Sequence, residues 1–332
     1  MRREGTLLLK RSEVAALLRL EECIEAVEHV FRLHGEGKVA PPGILGVHAR
    51  DGGFHIKAGL LEMGGRTYFA GKTNANFPHN MKRHALPLIQ GVIVLCDASN
   101  GYPVALMDSI EISIIRTGAA TGVAARHLAR ANSSVVSIFG CGNQGRISLR
   151  ALAKVRPIKR VFAFDRDEDE SRRFAHELSG ELGIEVTAVA DPAQSVLQSD
   201  ICVTCTPSKQ YFLNRDMVAP GTFIAAVGAD NEDKQELDPQ LLVSNKIVVD
   251  LLEQSATIGD LHHALDKGLV TRADVHAELG EVVAGRKTGR TSEEEIIIFD
   301  STGVAFQDVV AAAVVYERAM REGRGTIFDF VE

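Results

Sequence analysis

The chain has 332 residues, 45% hydrophobic and 24% charged, with 44 acidic against 37 basic side chains and a formal net charge of -7. That length suits two domains with cores of their own, and the negative balance argues against a nucleic-acid or anionic-membrane surface. No apolar stretch approaches a membrane span, and the opening Met1-Arg-Arg-Glu-Gly-Thr6 soon meets Glu13, which leaves no uninterrupted signal-peptide core. The five cysteines, an odd number scattered through apolar segments, suit reduced thiols, so the expectation is a cytoplasmic protein.

From residue 16 to 35, apolar side chains recur at helical spacing (Leu20, Ile24, Val27, Phe31), and the run stops at Gly35 and Gly37. Short β-like runs follow at 43–48, 54–57, 67–72 and 91–96, punctuated by Asp, Gly, Asn and Pro, which predicts an antiparallel sheet. Residues 109–130 carry a long helical pattern rich in Ala and Gly. Strands are then predicted at 135–139, 160–164, 185–190, 201–206, 222–227 and 246–250 with helices between them, an alternation that requires a parallel sheet. A last strand over 295–299 ends in Asp300-Ser-Thr-Gly303, and an amphipathic helix from Val304 to Arg321 carries the chain back to the first domain. The fold class is α/β, a Rossmann-type doubly wound parallel sheet beside an α+β domain.

The most specific signal is the segment from Val135 to Gly145. An apolar run that reads as a buried strand is followed by Gly140, Gly142 and Gly145 in a G-x-G-x-x-G spacing, with Asn143 and Gln144 at the start of a helix. Gly140 permits the tight turn, Gly142 lets the backbone approach a pyrophosphate, and Gly145 lets helix and strand pack closely. The helix N-terminus then offers free N–H groups to the anion. Asp165, twenty residues after Gly145, closes the next apolar run, where a carboxylate can accept hydrogen bonds from an adenosine ribose. This favours NAD over NADP, although Arg166 beside it offers a guanidinium to a 2′-phosphate.

Two other motifs carry less. Cys202 and Cys205 form a C-x-x-C, but they lie in a strand-like run where residues three apart face opposite sides, and no second ligand pair accompanies them, so no metal is expected. His262 and His263 are adjacent on a helical pattern, where neighbours diverge by roughly 100°, which reads as a solvated face.

Three charged residues are candidates for chemistry, because ligands of open α/β sheets bind outside the carboxyl ends of the strands. Arg116 has an apolar face on one side and small residues on the other, so its guanidinium needs a partner: a substrate carboxylate, or an internal acid such as Glu111 or Asp108. Lys72 sits at what reads as a strand-to-loop transition, either presenting an ammonium to a cleft or solvated. Asp230 follows the predicted strand 222–227, where a carboxylate could hold a substrate ammonium or take its proton, or simply cap a turn. Asp300 with Ser301 reads mainly as a cap for the helix that follows.

The segments Arg116-Thr-Gly-Ala-Ala-Thr121, Phe139-Gly-Cys-Gly-Asn-Gln-Gly145, Gly228-Ala-Asp-Asn-Glu-Asp-Lys-Gln-Glu-Leu237, His276-Ala-Glu-Leu-Gly-Glu-Val282 and Phe299-Asp-Ser-Thr-Gly303 together closely resemble the ornithine cyclodeaminase and mu-crystallin family. That family includes archaeal-type alanine dehydrogenases and cyclic ketimine reductases. The resemblance runs almost the full length. It implies a homodimer in which residues 1–118 and 304–332 form a substrate-binding and dimerisation domain around an NAD(P)-binding Rossmann domain at 119–303. It further implies that Lys72 and Arg116 hold a substrate carboxylate, with Lys57 as a second basic contact, and that Asp230 acts on the amine. Thr117 and Thr206 join the glycine loop, Asp165 and Arg166 as expected cofactor contacts. The mu-crystallin branch, a non-catalytic NADPH-dependent binder, lacks the acid found here at Asp230. Many members carry L-P-T where this chain has Leu86-Pro-Leu88, and the Gly-Asp-Cys-Pro-Gly-Lys of the ornithine enzymes is replaced at Gly228. The resemblance therefore implies hydride transfer at the α-carbon of a small amino or imino acid, as in the reductases and alanine dehydrogenase, ahead of ornithine cyclodeamination.

Overall fold

The computed structural model describes residues 5–330; the opening Met1 to Glu4, part of the N-terminal reading above, lies outside the described residues. The chain divides into two compact units, Met1–Arg116 with Val304–Glu332, and Thr117–Gly303.

In the first unit, strands β1 (Thr6–Leu9), β2 (Gly43–Ala49), β3 (Gly52–Met63), β4 (Arg66–Asn76), β5 (Ile89–Asp97) and β6 (Pro103–Asp108) join a C-terminal strand, Thr326–Phe328. The sheet order is C-terminal strand, β1, β6, β5, β4, β3, β2, antiparallel except where β1 runs parallel to β6. The helix Ala305–Glu322 packs on β3, β4 and the helix Leu20–Gly35, with Phe306 edge-on to Phe31 at 5.5 Å between ring centroids.

Two expectations change here. The helix read over 16–35 is two helices, Arg11–Leu17 and Leu20–Gly35, because Leu18 and Arg19 adopt extended backbone. Leu17 and Leu18 are both buried, and a continuous helix would turn consecutive residues about 100° apart; the break lets both face the core. Lys72 is also not at a strand end. It lies inside β4, which continues to Asn76, directly opposite Lys57 of β3. The strands β1 and β6 and the C-terminal strand have no counterpart in the predicted elements: all are short, and β6 starts on a proline.

The second unit is a sheet of eight parallel strands: β7 (Val135–Phe139), β8 (Arg160–Phe164), β9 (Glu185–Ala188), β10 (Ile201–Thr204), β11 (Phe223–Ala226), β12 (Lys246–Val249), β13 (Val275–Glu278) and β14 (Ile297–Asp300). Their order is β13-β12-β14-β11-β10-β7-β8-β9. The order reverses between β7 and β10, the topological switch point beside which doubly wound sheets bind their ligands. β10, β11 and β14 are buried at every position, as expected of strands covered on both faces. β13 was not expected, since the alternation of its Val-His-Ala-Glu lasts only four residues and includes no bulky β-former after Val275.

Candidate functional site

The glycine loop of the second unit has the geometry of an anion cradle. Gly140 holds φ +97°, and a Cβ there would meet the Cys205 carbonyl oxygen at 2.8 Å. A Cβ on Gly145 would fall 2.1 Å from the Gly140 oxygen, whereas one on Gly142 would find nothing within 4 Å. Two glycines are thus required by packing, and the middle one leaves the backbone open. Gly142 caps the helix Asn143–Val155 and supplies no side chain to its N–H groups. These features fit the pyrophosphate of a dinucleotide. Asn143 is exposed, and the Gln144 Oε1 is buried without a hydrogen-bond partner.

Asp165 closes the loop from the side. Its Oδ2 accepts the Cys141 N–H at 2.8 Å and its Oδ1 the Asp167 N–H at 3.0 Å. A carboxylate has about four acceptor positions, so capacity remains for hydroxyl donors. Arg166 is exposed. Thr206, just past β10, gives both its N–H and its hydroxyl to Glu236. Thr117 is buried, and its carbonyl accepts the Thr121 hydroxyl at 3.2 Å. Asp230 lies four residues beyond β11, is exposed, and pairs with Lys234 at 2.6 Å.

The first unit brings three expected residues together and adds one that was missed. Lys57 and Lys72 are cross-strand neighbours, and both are buried with Arg116 around Asp308. The Lys72 Nζ lies 2.7 Å from Asp308 Oδ2, and the Arg116 Nε 3.0 Å from Oδ1. A second guanidinium nitrogen, Nη1, donates to Gln307 Oε1 at 2.9 Å, and Lys72 reaches the Ser113 hydroxyl at 3.3 Å. Burial, reinforced by the charges of Arg116 and Lys57 and opposed by Asp308, pushes the Lys72 ammonium down to about 7. Burial raises the Asp308 carboxyl, but Lys72 and Arg116 outweigh it and hold the group below its ordinary value. A buried cluster with three cations to one carboxylate suits an incoming carboxylate.

The internal partner of Arg116 is therefore neither Glu111 nor Asp108. Glu111 pairs with Arg11 at 2.7 Å, and Asp108 Oδ1 accepts the N–H of Ile110 and Glu111 at the start of the helix Ile110–Leu128. Asp308 is distant in sequence, out of reach of local reading. A signal existed: Gln307 and Asp308 interrupt the otherwise apolar run from Val304 to Ala313, where a buried charge must have a partner.

Three further readings are corrected. Asp300 does act as a cap, but not for the helix after it; fully buried, it accepts the N–H of Asp260 and Leu261 at 3.2 and 3.0 Å, at the start of the helix Asp260–Asp266. His262 and His263 are not a solvated face: His262 is buried and binds the Gly259 carbonyl, His263 binds the Lys234 carbonyl, and their rings lie 3.8 Å apart. Cys205 lies beyond β10 rather than within it, with its sulfur 3.2 Å from the carbonyls of Phe139 and Gly140. Burial raises both it and Cys202 above the ordinary thiol range. Among the described residues no group of three or more His, Cys, Asp or Glu is placed to hold a metal ion, and no helix is long and apolar enough to cross a membrane.

The model of the ornithine cyclodeaminase/mu-crystallin family matches residues 4–323. The alanine dehydrogenase of Archaeoglobus fulgidus is 40% identical over 325 residues, 98% of either chain. Among solved structures, an archaeal alanine dehydrogenase dimer with bound NAD matches with a TM-score of 0.93 at 39% identity, over 98% of this chain and 99% of that one. The Delta(1)-pyrroline-2-carboxylate reductase of Thermococcus litoralis, in complex with NADH and L-proline, matches with a TM-score of 0.92 at 35% identity, over 97% and 100%.

Proposed function

The chain belongs to the ornithine cyclodeaminase/mu-crystallin family, and from that premise we propose that it is an NAD-dependent enzyme exchanging hydride at the α-carbon of a small amino or imino acid. The observation that carries this reading is the buried cluster of Lys57, Lys72 and Arg116 around Asp308. Relatives over the full length bear the names alanine dehydrogenase and pyrroline-2-carboxylate reductase, and their solved structures hold NAD, or NADH with L-proline.

Each residue has a role in this reading. The backbone at Gly140, Gly142 and Gly145 and the helix end at Asn143 and Gln144 hold the pyrophosphate. Asp165 accepts the ribose hydroxyls and selects NAD, with Arg166 at its side, while Thr206 and Thr117 line the cofactor. When bound, the nicotinamide supplies or takes the hydride. Arg116 and Lys57 fix the substrate carboxylate and so the face of the α-carbon that is presented. Lys72, titrating near neutrality, binds the same carboxylate when charged and exchanges a proton with the substrate nitrogen. Asp230 leaves Lys234 to engage the substrate amine.

The proposal extends to a homodimer. All seven residues of β2 are exposed, Ile44, Leu45 and Val47 among them, with Phe54 and Leu60 on β3. A long apolar edge strand favours association, and the archaeal relative is described as a dimer. The five cysteines are all free, which suits the cytoplasm.

The test is an assay with NADH and either pyrroline-2-carboxylate or pyruvate plus ammonia, and separately with ornithine and catalytic NAD. Net oxidation of NADH is the expected result. Proline formed from ornithine without net cofactor change would make the enzyme a cyclodeaminase; tight NADH binding with no turnover would make it a binder. Asp230→Asn should lower kcat about 10²- to 10⁴-fold with little change in NADH affinity, and full turnover in that variant would remove Asp230 from the mechanism.

A further inference from the structure

The second unit buries four carboxyl groups that the reading above does not use: Glu236, Asp250, Asp260 and Asp300. Each accepts backbone N–H groups. Glu236 is the most connected to the expected cofactor residues. Its Oε1 accepts the Thr206 N–H at 2.5 Å and the Thr206 hydroxyl at 2.7 Å, and its Oε2 accepts the Gly228 N–H at 2.9 Å. Thr206 lies two residues past β10 and Gly228 two past β11. One carboxylate therefore spans the carboxyl ends of two adjacent parallel strands, the edge at which such sheets bind ligands.

Glu236 is itself held. Asp260 Oδ1 accepts the N–H of Glu236 at 2.8 Å and of Leu237 at 2.9 Å, and Asp300 in turn accepts the N–H of Asp260 and Leu261. Room for the Glu236 carboxyl exists because residue 228 is glycine: a Cβ there would fall 2.4 Å from it. All three donors to Glu236 need acceptors, and both oxygens of a carboxyl group supply them; a neutral amide would turn N–H toward N–H.

Resting on the reading that this unit binds NAD, we infer that Glu236 is a positioning residue, clamping the loops after β10 and β11 so that Thr206 and the segment leading to Asp230 keep a fixed spacing. It touches neither cofactor nor substrate. Its effect falls on the nicotinamide half of the ligand, because the adenosine and pyrophosphate contacts lie at the glycine loop and Asp165.

The test compares the affinities of the full chain for NADH and for ADP-ribose, which lacks the nicotinamide. Glu236→Gln should weaken NADH at least tenfold while changing ADP-ribose less than twofold. Gly228→Ala, which displaces the same carboxylate from the other side, should reproduce that split, and it decides the matter alone if Glu236→Gln does not fold. Equal weakening of both ligands, or no change in either, overturns the clamp, as does loss of the folded state in both variants. A wild-type chain that binds neither nucleotide overturns the cofactor reading itself, and the positioning role with it.

Discussion

The molecule buries charge in two ways, one in each unit. In the first, Lys57, Lys72 and Arg116 gather around Asp308, and side chains of opposite sign compensate each other. In the second, Glu236, Asp260 and Asp300 are compensated by backbone N–H groups and by raised proton affinity. Side-chain ion pairs can exchange partners when an anion arrives; backbone donors cannot leave. On the proposed reading, the difference separates a cluster that receives a ligand from a network that holds loops in place.

The largest expected effect comes from removing the carboxylate that balances the first cluster. Asp308→Asn leaves buried cations without their counter-charge, and breaking such a pair typically costs about 3–5 kcal/mol of stability. Lys72 also loses the group that raises its proton affinity, so it becomes largely neutral at pH 7 and the apparent affinity for a carboxylate substrate falls. Urea unfolding and KM for the keto- or imino-acid substrate measure both. A cost under about 0.5 kcal/mol, the size of an ordinary surface change, would show that the cations are not balanced by Asp308.

The two clusters should also respond to pH in opposite senses. Lys72 titrates near 7 in the fold against about 10.4 in an unfolded chain, so the unfolded state binds more protons between those values and stability rises with pH from about 7 to 10. Asp260 is raised by burial and by Glu236 to about 7 against about 3.9 unfolded, so the folded state binds more protons and stability falls as pH rises from about 4 to 7. Its Oδ2, buried without a hydrogen-bond partner, is the place for that proton. Lys72→Met should flatten the alkaline rise, and Asp260→Asn, which imitates the neutral acid, should flatten the fall below pH 7. In the proposed turnover, Lys72 must be charged to hold the carboxylate, so kcat/KM should decline above about pH 7; Lys72→Arg keeps the charge but cannot give up the proton, so it should lower kcat and remove that decline. Unaltered profiles would separate these residues from the slopes assigned to them.

What the sequence revealed follows the same division between local and distant partners. The loop from Gly140 to Gly145 was legible because strand, turn and helix N-terminus are consecutive, and Gly145 answers to Gly140 within the motif and Gly140 to Cys205 just across one strand. Lys72 and Arg116 could be singled out by type, but their common partner Asp308 could not, since it reaches them only through the return of the helix Ala305–Glu322. Asp300 was read as a cap and is one, yet for a helix that begins 40 residues earlier. Glu236 escapes notice for a related reason. It sits in a polar stretch, Asn231 to Glu236, that looks solvated, and its partners are two backbone N–H groups and a hydroxyl 30 residues away, which no local side-chain pattern marks.

The smallest expected effect concerns cofactor choice, where the glycine loop and its flanking acid act together. Asp165 accepts the Cys141 N–H from within the loop, so it stabilises the turn as well as offering oxygens to a ribose. Asp165→Ser removes the negative charge that disfavours a 2′-phosphate, and exposed Arg166 then stands beside the vacated position. The ratio of kcat/KM for NADPH over NADH should rise about tenfold, equivalent to about 1.4 kcal/mol. Asp165→Asn keeps an oxygen for the Cys141 N–H, so it should shift the ratio in the same direction with less loss of absolute NADH affinity. If NADH affinity collapses equally in both variants while the ratio stays fixed, the carboxylate serves the turn alone and cofactor choice lies with other residues.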